Sequence, residues 1–183
     1  MKKYLISLLL LLFFVTPCAA MGPGKLISMV GKPIIIEEEA VDSDGETYGQ
    51  WTLIGGASKS AIMVDGLYNY FIQETTDTEK ESFDTTDLTT ITTVSSIKVC
   101  AECWYTSADG TIRMLFNDGA TDTFSATVTV TGSSDATRTT VCGTVYGSWS
   151  AATFNGGEIG IELVSAGGGV DVSEIPSVTV YGY

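Results

Sequence analysis

The amino-acid sequence predicts an all-β fold: an antiparallel two-sheet β-sandwich, jelly-roll-like, with one short crossover helix. Apolar and polar residues alternate along many short segments, which is the period of a half-buried strand. Clusters of Gly, Asn, Asp and Ser separate these segments, as turns do in sandwiches and jelly rolls. Only one segment has a helical pattern. An immunoglobulin-like sandwich is the alternative, although the Cys–Trp–Cys spacing of that fold is absent.

The chain begins with the pattern of a secretory signal peptide over residues 1–20. Lys2 and Lys3 precede an apolar run over 5–15, and Pro17-Cys18-Ala19-Ala20 provides the small residues of a cleavage site. We therefore expect cleavage after Ala20 and a location outside the cytoplasm, either extracellular or periplasmic. A lipoprotein attached through Cys18 is the alternative. The apolar run is shorter than the roughly 20 residues that span a bilayer, so we expect no membrane span.

An extended N-terminal arm is predicted over residues 21–49, ahead of a sandwich domain over 50–183. The arm has a mixed composition, in which Pro33 and three isoleucines precede Glu37-Glu38-Glu39. One strand is expected over 33–36, where the proline confines it to a sheet edge or to the first position of the strand.

The strands of the sandwich follow from the alternation, taken in order along the chain. An aromatic and β-branched run predicts a strand over 68–73. The next clear strand spans 97–105, and Asp109-Gly110 is typical of the hairpin turn that follows it. Apolar positions at Ile112, Met114 and Phe116 mark the returning strand. Further strands are predicted over 124–130, 139–146, 159–163 and 178–180.

The single helical segment spans 148–154. Ser148 is a candidate N-cap, and the glycines after Asn155 are a plausible C-cap. We expect this helix to connect two strands, with Trp149 and Phe154 covering the end of the core.

Several stretches of the predicted sandwich match those of known proteins in order and spacing. They are Tyr70-Phe71-Ile72, Glu81-Ser82-Phe83-Asp84 with Asp87-Leu88, Ser95-Ser96-Ile97-Lys98-Val99, Asp109-Gly110-Thr111-Ile112-Arg113, Ser148-Trp149-Ser150-Ala151-Ala152, Glu158-Ile159-Gly160-Ile161-Glu162 and Val178-Thr179-Val180-Tyr181. Over about 50–183 the chain resembles β-sandwich proteins of tailed phages and phage-like metagenomic contigs, which are hypothetical or virion-associated proteins. The resemblance implies a jelly-roll-like fold and a particle or surface role, and it carries no catalytic residues. The signal peptide departs from that group and indicates a bacterial secreted relative.

Three cysteines follow the predicted signal, and strand geometry predicts one disulfide among them. Cys100 and Cys103 lie in one strand, about 10 Å apart and on opposite faces, which is too far for a bridge. Cys142 is therefore expected to pair with Cys100 or with Cys103, and Cys100 is preferred. Cys103 falls on the predicted buried face and can instead be a core thiol.

Charge and composition exclude several classes of function. The chain has a net charge of −13 and no histidine. Without histidine there is no Ser-His-Asp triad and no imidazole metal site, so we expect no enzyme. Because nucleic-acid binding needs patches of Lys and Arg, nucleic acid is not an expected partner.

Two acidic loops are weak metal candidates, and the second of them is Asp118-Gly119-Ala120-Thr121-Asp122. Asp42, Asp44 and Glu46 resemble the opening of a calcium loop, but no Glu follows at its twelfth position. No other cofactor is expected.

Aromatic residues carry the binding hypothesis. Trp104 falls on the strand face opposite Ile97 and is expected to be exposed, and Tyr181 and Tyr183 alternate away from Val180. These three are the ligand-binding candidates, from a wider aromatic set that includes Tyr146. Two functions follow: a structural or assembly protein that packs against its own copies or a cell or particle surface, and alternatively a carbohydrate-binding module.

Overall fold

The structure of the protein is a computed structural model that describes residues 32–65, 70–165 and 167–183. The predicted signal peptide, with Cys18, and the first part of the predicted arm lie outside the described residues. The described chain contains the strands β1 (Ile35–Glu39), β2 (Val41–Gly49), β3 (Thr52–Ile54), β4 (Phe71–Glu74), β5 (Lys80–Thr85), β6 (Thr93–Tyr105), β7 (Gly110–Asn117), β8 (Asp122–Phe124), β9 (Val128–Val130), β10 (Thr139–Ser150), β11 (Glu158–Ser165) and β12 (Val170–Gly182). It also contains the helices α1 (Lys59–Asp65) and α2 (Ala151–Asn155) and a 3₁₀ turn at Asp135–Thr137.

The strands form two antiparallel sheets. The first sheet has the order β10-β6-β12-β4-β3, and β1 pairs with β12 beyond the segment that contacts β4. The second sheet has the order β2-β5-β11-β7-β8, and β9 also pairs with β7. In the first sheet, β12 lies between β4 and β6. In the second sheet, β11 lies between β5 and β7. This is the strand order of a jelly roll, so the predicted fold class is confirmed and the immunoglobulin-like alternative is not.

Part of the predicted arm is built into the sandwich. Residues 35–49 form β1 in the first sheet and β2 in the second, and Ile35 lies opposite Gly182 while Glu39 lies opposite Val178. The strand expected over 33–36 thus begins two residues after Pro33. Residues from Ile34 to Tyr183 form one compact unit.

The hydrophobic core lies between the inner faces of the two sheets. Ile97 and Val99 of β6 and Ile159 and Ile161 of β11 belong to this core, and all four are at most 1% exposed. Because apolar residues alternate with polar ones along these strands, each strand buries one face and leaves the other toward the outside of the sandwich.

The predicted helix is present as α2, but it begins at Ala151 and its N-cap is Ser150 rather than Ser148, because residues 148–150 are the end of β10, where Trp149 pairs with Val94. It follows β10 directly, and the Ser150 hydroxyl caps it by accepting a hydrogen bond from the Thr153 N–H at 3.0 Å. The ring of Phe116 contacts Trp149 edge-on at 4.9 Å and stacks on Phe154 at 5.6 Å. The helix therefore connects the first sheet to the second and covers one end of the core.

A second helix, α1, was not predicted, so the expectation of a single helix is wrong. Its residues Ile62 and Met63 are at most 1% exposed and join the core. The Ser58 hydroxyl accepts a hydrogen bond from the Ala61 N–H at 3.2 Å and caps its first turn. The segment is too short for a clear helical period, and a short apolar run does not distinguish a helix from a strand.

The prediction of one strand over 124–130 is also wrong. The structure has two strands there, β8 and β9. Ser125 lies buried between them. Its hydroxyl accepts from the Met114 N–H at 3.0 Å and donates to the Ala126 carbonyl at 2.8 Å. These bonds turn the chain inward at Ser125, so the alternation in sequence does not continue as one strand.

Candidate functional site

The outer face of the first sheet carries a row of four residues, three of which have large side chains. Ile36, Tyr181, Ser96 and Tyr146 share this row, because Ile36 lies opposite Tyr181 and Ser96 lies opposite both tyrosines. Ile36 is 56% exposed and Tyr146 is 74% exposed. Since strands lie about 4.8 Å apart, the two tyrosines are roughly 10 Å apart. We call these four residues the tyrosine row.

The row beside it is polar. Thr179, Lys98 and Thr144 lie side by side across β12, β6 and β10, and Glu38 of β1 continues the row. The Thr179 hydroxyl donates to the Glu38 carboxylate at 3.0 Å. Aromatic rings next to hydrogen-bonding groups form a surface that can pack against a protein or stack on sugar rings.

The disulfide lies one row further along the same strands. Cys100 and Cys142 are directly opposite each other in β6 and β10, and they form a bridge with an S–S distance of 2.07 Å. Cys103 is a buried thiol, and burial raises its pKa to about 12. The preferred pairing is therefore confirmed, and the thiol that remains is not reactive at neutral pH.

The expectation that Trp104 is exposed is wrong. It lies on the outer face of the first sheet, as predicted, but it is only 5% exposed. The ring of Phe71 packs edge-on against it with centroids 5.2 Å apart. Trp104 lies eight residues further along β6 than Ser96 of the tyrosine row and is buried there, so it does not belong to the exposed surface.

Trp104 instead shares a buried polar contact with Asp171 and Gln73. The three residues lie side by side across β6, β12 and β4. The Gln73 amide donates to the Asp171 carboxylate at 2.7 Å, and the Trp104 indole also donates to it. Burial raises the pKa of Asp171 to about 6, although both hydrogen bonds act to lower it.

Tyr181 and Tyr183, the other two ligand candidates, are partly accessible. Tyr181 is half-buried within the tyrosine row, and Tyr183 is 36% exposed. The backbone of Tyr183 is fixed by Thr93, whose N–H donates to the Tyr183 carbonyl at 2.9 Å and whose carbonyl accepts from the Tyr183 N–H at 3.0 Å. The structure therefore keeps Tyr181 in the candidate surface.

Ile36 and Tyr146 complete that surface and were not among the three candidates. Tyr146 alternates with the buried Val145, and this signal identifies an outward-facing aromatic once the strand is assigned. Ile36 carries no such signal. It faces outward only because β1 pairs with β12, at the far end of the sequence.

The outer face of the second sheet is, by contrast, partly covered by the chain itself. The register between β2 and β5 shifts between Asp44 and Gly49, and the intervening residues lie over the sheet. The Glu158 carboxylate accepts from the N–H of Glu46 at 2.8 Å and of Thr47 at 3.1 Å. It also accepts from the Ser82 hydroxyl at 2.5 Å. We call residues 45–48 the arch.

Charged and aromatic side chains extend this cover across the second sheet. Lys80 pairs with Asp122 at 2.7 Å, and the Tyr48 hydroxyl of the arch donates to the same carboxylate at 2.7 Å. The guanidinium of Arg113 lies 3.6 Å from the centre of the Phe124 ring. The interactions satisfy these groups within the protein, so this face is better explained as a structural network than as a ligand site.

Two of the three residues of the first calcium candidate make contacts within the protein. Asp42 is exposed, Asp44 accepts from the Ser60 N–H at 2.5 Å, and Glu46 binds Glu158 through its backbone. Gly45 allows the arch to approach β5, because a Cβ there would lie 2.5 Å from the Ser82 hydroxyl. Within the described ranges, no group of three His, Cys, Asp or Glu side chains could hold a metal ion.

Comparisons with known proteins give no identification. No protein-family model matches the chain, and no curated protein matches it significantly. The resemblance to phage-encoded β-sandwich proteins therefore stays a prediction. Among the described residues, neither helix has the length and apolar character needed to cross a membrane.

Proposed function

We propose that this protein is a secreted structural module that assembles with its own copies, or attaches to a cell or particle surface, through the outer face of the first sheet. The observation that supports the proposal is the grouped exposure in the tyrosine row, where Ile36 is 56% and Tyr146 is 74% exposed. Large apolar side chains collected on one face are typical of interaction surfaces. Ile34, which precedes β1, is 76% exposed and extends the apolar area.

The difference between the two faces favours an interaction at this position. The arch and its ion pairs occupy the second sheet, whereas the tyrosine row carries no charge. The whole chain has a net charge of −13, which opposes close approach between copies. Association is therefore easiest where charge is absent and apolar area is available.

Sedimentation velocity of the purified protein tests the role of the row. The variant carries Ile36→Ser and Tyr146→Ser, and the control carries Val64→Ser, since Val64 of α1 is also 56% exposed. We expect wild type and control to associate alike, and the double variant to associate at least tenfold more weakly. Equal association of all three proteins would contradict the proposed interface.

Secretion is the second part of the proposal and rests on the pattern of residues 1–20. We expect the intact mass of the protein recovered outside the cytoplasm to correspond to cleavage after Ala20. An N-terminus at Cys18 with an added lipid mass would support the lipoprotein alternative, and a retained residue 1 would contradict cleavage.

Carbohydrate binding is the second candidate function, and the spacing of Tyr146 and Tyr181 favours it. Two rings roughly 10 Å apart, beside Lys98 and Thr144, can stack on separate sugars of one chain. Calorimetric titration against a glycan panel tests this function. Saturable binding that Tyr146→Ala and Tyr181→Ala abolish, and Tyr70→Ala retains, would support it. Tyr70 is a suitable control because it is 37% exposed and precedes β4, which pairs with the other end of β12.

A further inference from the structure

Strand β10 is a long edge strand without charge. It has 12 residues, and in the described part of the chain it pairs only with β6. Its sequence, TTVCGTVYGSWS, contains no acidic or basic residue. Long, flat and uncharged edges are the ones that pair with another chain.

The geometry at the disulfide shows which backbone groups point outward. Cys100 and Cys142 lie directly opposite each other with their Cα atoms 4.1 Å apart. This short separation is typical of a pair that exchanges no backbone hydrogen bonds. The N–H and C=O groups of Cys142 therefore point away from β6. By alternation, those of Thr140, Thr144 and Tyr146 also point outward, and no strand of the described chain meets them.

The other edges are short or acidic. In the first sheet, β1 contains Glu37, Glu38 and Glu39, and β3 has only three residues. In the second sheet, β2 contains three acidic residues, and β8 and β9 have three residues each. Charge and shortness are the usual protection of an edge against pairing. Among the described strands, β10 is thus the long edge that lacks both.

We propose that two copies of this chain pair antiparallel through β10 about a two-fold axis and join their first sheets into one continuous sheet. This inference rests on the proposed assembly function, for which it names the partner and the contact. A second copy is the partner that fits, because β10 is the long edge at which two acidic copies can meet without bringing like charges together, whereas β1 and β2 carry acidic residues. An antiparallel pair of identical strands also satisfies the outward groups of both copies with the same surface.

The contact is limited to the regular part of the strand. The register with β6 shifts between Tyr146 and Trp149, so a bulge ends the flat edge there. Residues 139–146 remain, and they extend over roughly 26 Å. Tyr146 lies at the end of this segment, which makes the proposed contact continuous with the tyrosine row.

Substitutions at Thr144 test the pairing, because its backbone N–H points outward and takes no part in the ladder with β6. Thr144→Pro removes that donor, and Thr144→Asp brings a carboxylate of each copy to the shared edge, where the two repel. Thr144→Val is the control, since it keeps a β-branched side chain and the N–H. Light scattering is expected to show a dimer for wild type and control, and at least tenfold weaker dimerisation for the other two variants.

Hydrogen exchange gives a second measurement that needs no substitution. The amides of Cys142, Thr144 and Tyr146 are expected to become protected as the concentration of wild-type protein rises. Unchanged exchange at these amides while the protein associates, or dimers of unaltered strength in both disruptive variants, would overturn the inference. If either of these results is found but the Ile36→Ser, Tyr146→Ser variant no longer associates, the β10 contact is wrong while the proposed assembly function stands. A wild-type protein that is monomeric at every concentration would contradict the proposed function as well.

Discussion

A buried ion pair joins α1 to the second sheet. Glu81 of β5 is 1% exposed, and its carboxylate lies 2.7 Å from the Lys59 ammonium. The same carboxylate accepts from the Trp51 N–H at 3.0 Å. Burial raises the pKa of Glu81, while Lys59 and the Trp51 N–H favour its charged form. The pair fixes the unpredicted helix over the core.

Removal of Lys59 is expected to be costly because it leaves the Glu81 charge buried without a partner. Lys59→Met should lower the free energy of unfolding by about 3 kcal/mol in urea denaturation. Adding Glu81→Gln should recover most of that loss, since the amide is neutral and its oxygen still accepts from Trp51. A double variant as unstable as Lys59→Met would show that the buried charge is not the cause.

Asp171 makes stability depend on pH in the opposite sense to most carboxylates. Burial raises the pKa of Asp171 to about 6 from an ordinary value of 3.8. The protonated carboxyl therefore contributes fully to the free energy of unfolding below about pH 4, and this contribution is lost as the pH rises through 6. Asp171→Asn keeps the shape and removes the ionisation. Thermal and urea unfolding between pH 4 and 8 should show the variant gaining about 2–3 kcal/mol over wild type at high pH. A constant difference across this range would contradict the assignment.

Strand β1 is held to the sandwich by its glutamates. The Glu37 carboxylate accepts from the N–H groups of Thr89, Thr90 and Ile91 at 2.9, 2.5 and 2.7 Å. Burial alone would raise the pKa of Glu37, but the Thr90 hydroxyl, which also donates to this carboxylate, and the three N–H groups lower it to about 2. The acidic run that the sequence placed in an extended arm thus attaches that segment to the loop before β6.

Glu37→Gln should loosen β1, because the amide replaces a charged acceptor of several N–H groups. We expect the β1 amides to exchange about tenfold faster, corresponding to roughly 1.4 kcal/mol. In wild type, the stabilisation of β1 by Glu37 is complete above about pH 4.5. It decreases as the pH falls toward 2, because protonation removes the charge of the acceptor. Glu38→Gln is the matched control, because Glu38 accepts one bond, from Thr179, and should change exchange less.

The disulfide joins the edge strand β10 to β6 across a sequence separation of 42 residues. A loop of this length predicts a loss of about 4 kcal/mol when both cysteines become serine, because the unfolded chain regains its freedom. Denaturation of the Cys100→Ser, Cys142→Ser variant measures this loss. Cys103 should stay unreactive toward thiol reagents in the folded variant, and rapid labelling would show that the bridge also keeps the core closed.

Local patterns in the sequence were sufficient to predict the layers of the fold. Alternation placed Ile159 and Ile161 inside, and the rise along a strand separated Cys100 from Cys103 and favoured the bridge that forms. Contacts between distant segments could not be predicted in this way. Trp104 is buried because Phe71 packs on it, and Ile36 joins the candidate site because β1 pairs with the last strand.

The whole molecule is a jelly roll with two unlike outer faces. One is closed by the arch and its charged network, and the other presents the tyrosine row next to the uncharged edge of β10. An acidic protein with a net charge of −13 can approach another copy most easily at this side. This asymmetry explains why we infer assembly or surface attachment, rather than chemistry, as the function of the protein.

Light scattering of the purified protein over a concentration series, with and without calcium, decides whether that function holds. We predict that a monomer is converted to a defined larger species as the concentration rises. The extent should be the same with and without calcium, because neither β10 nor the tyrosine row contains an acidic residue. Association that occurs only with calcium would contradict an interface formed by the tyrosine row and β10. A stable monomer at every concentration would contradict self-assembly itself.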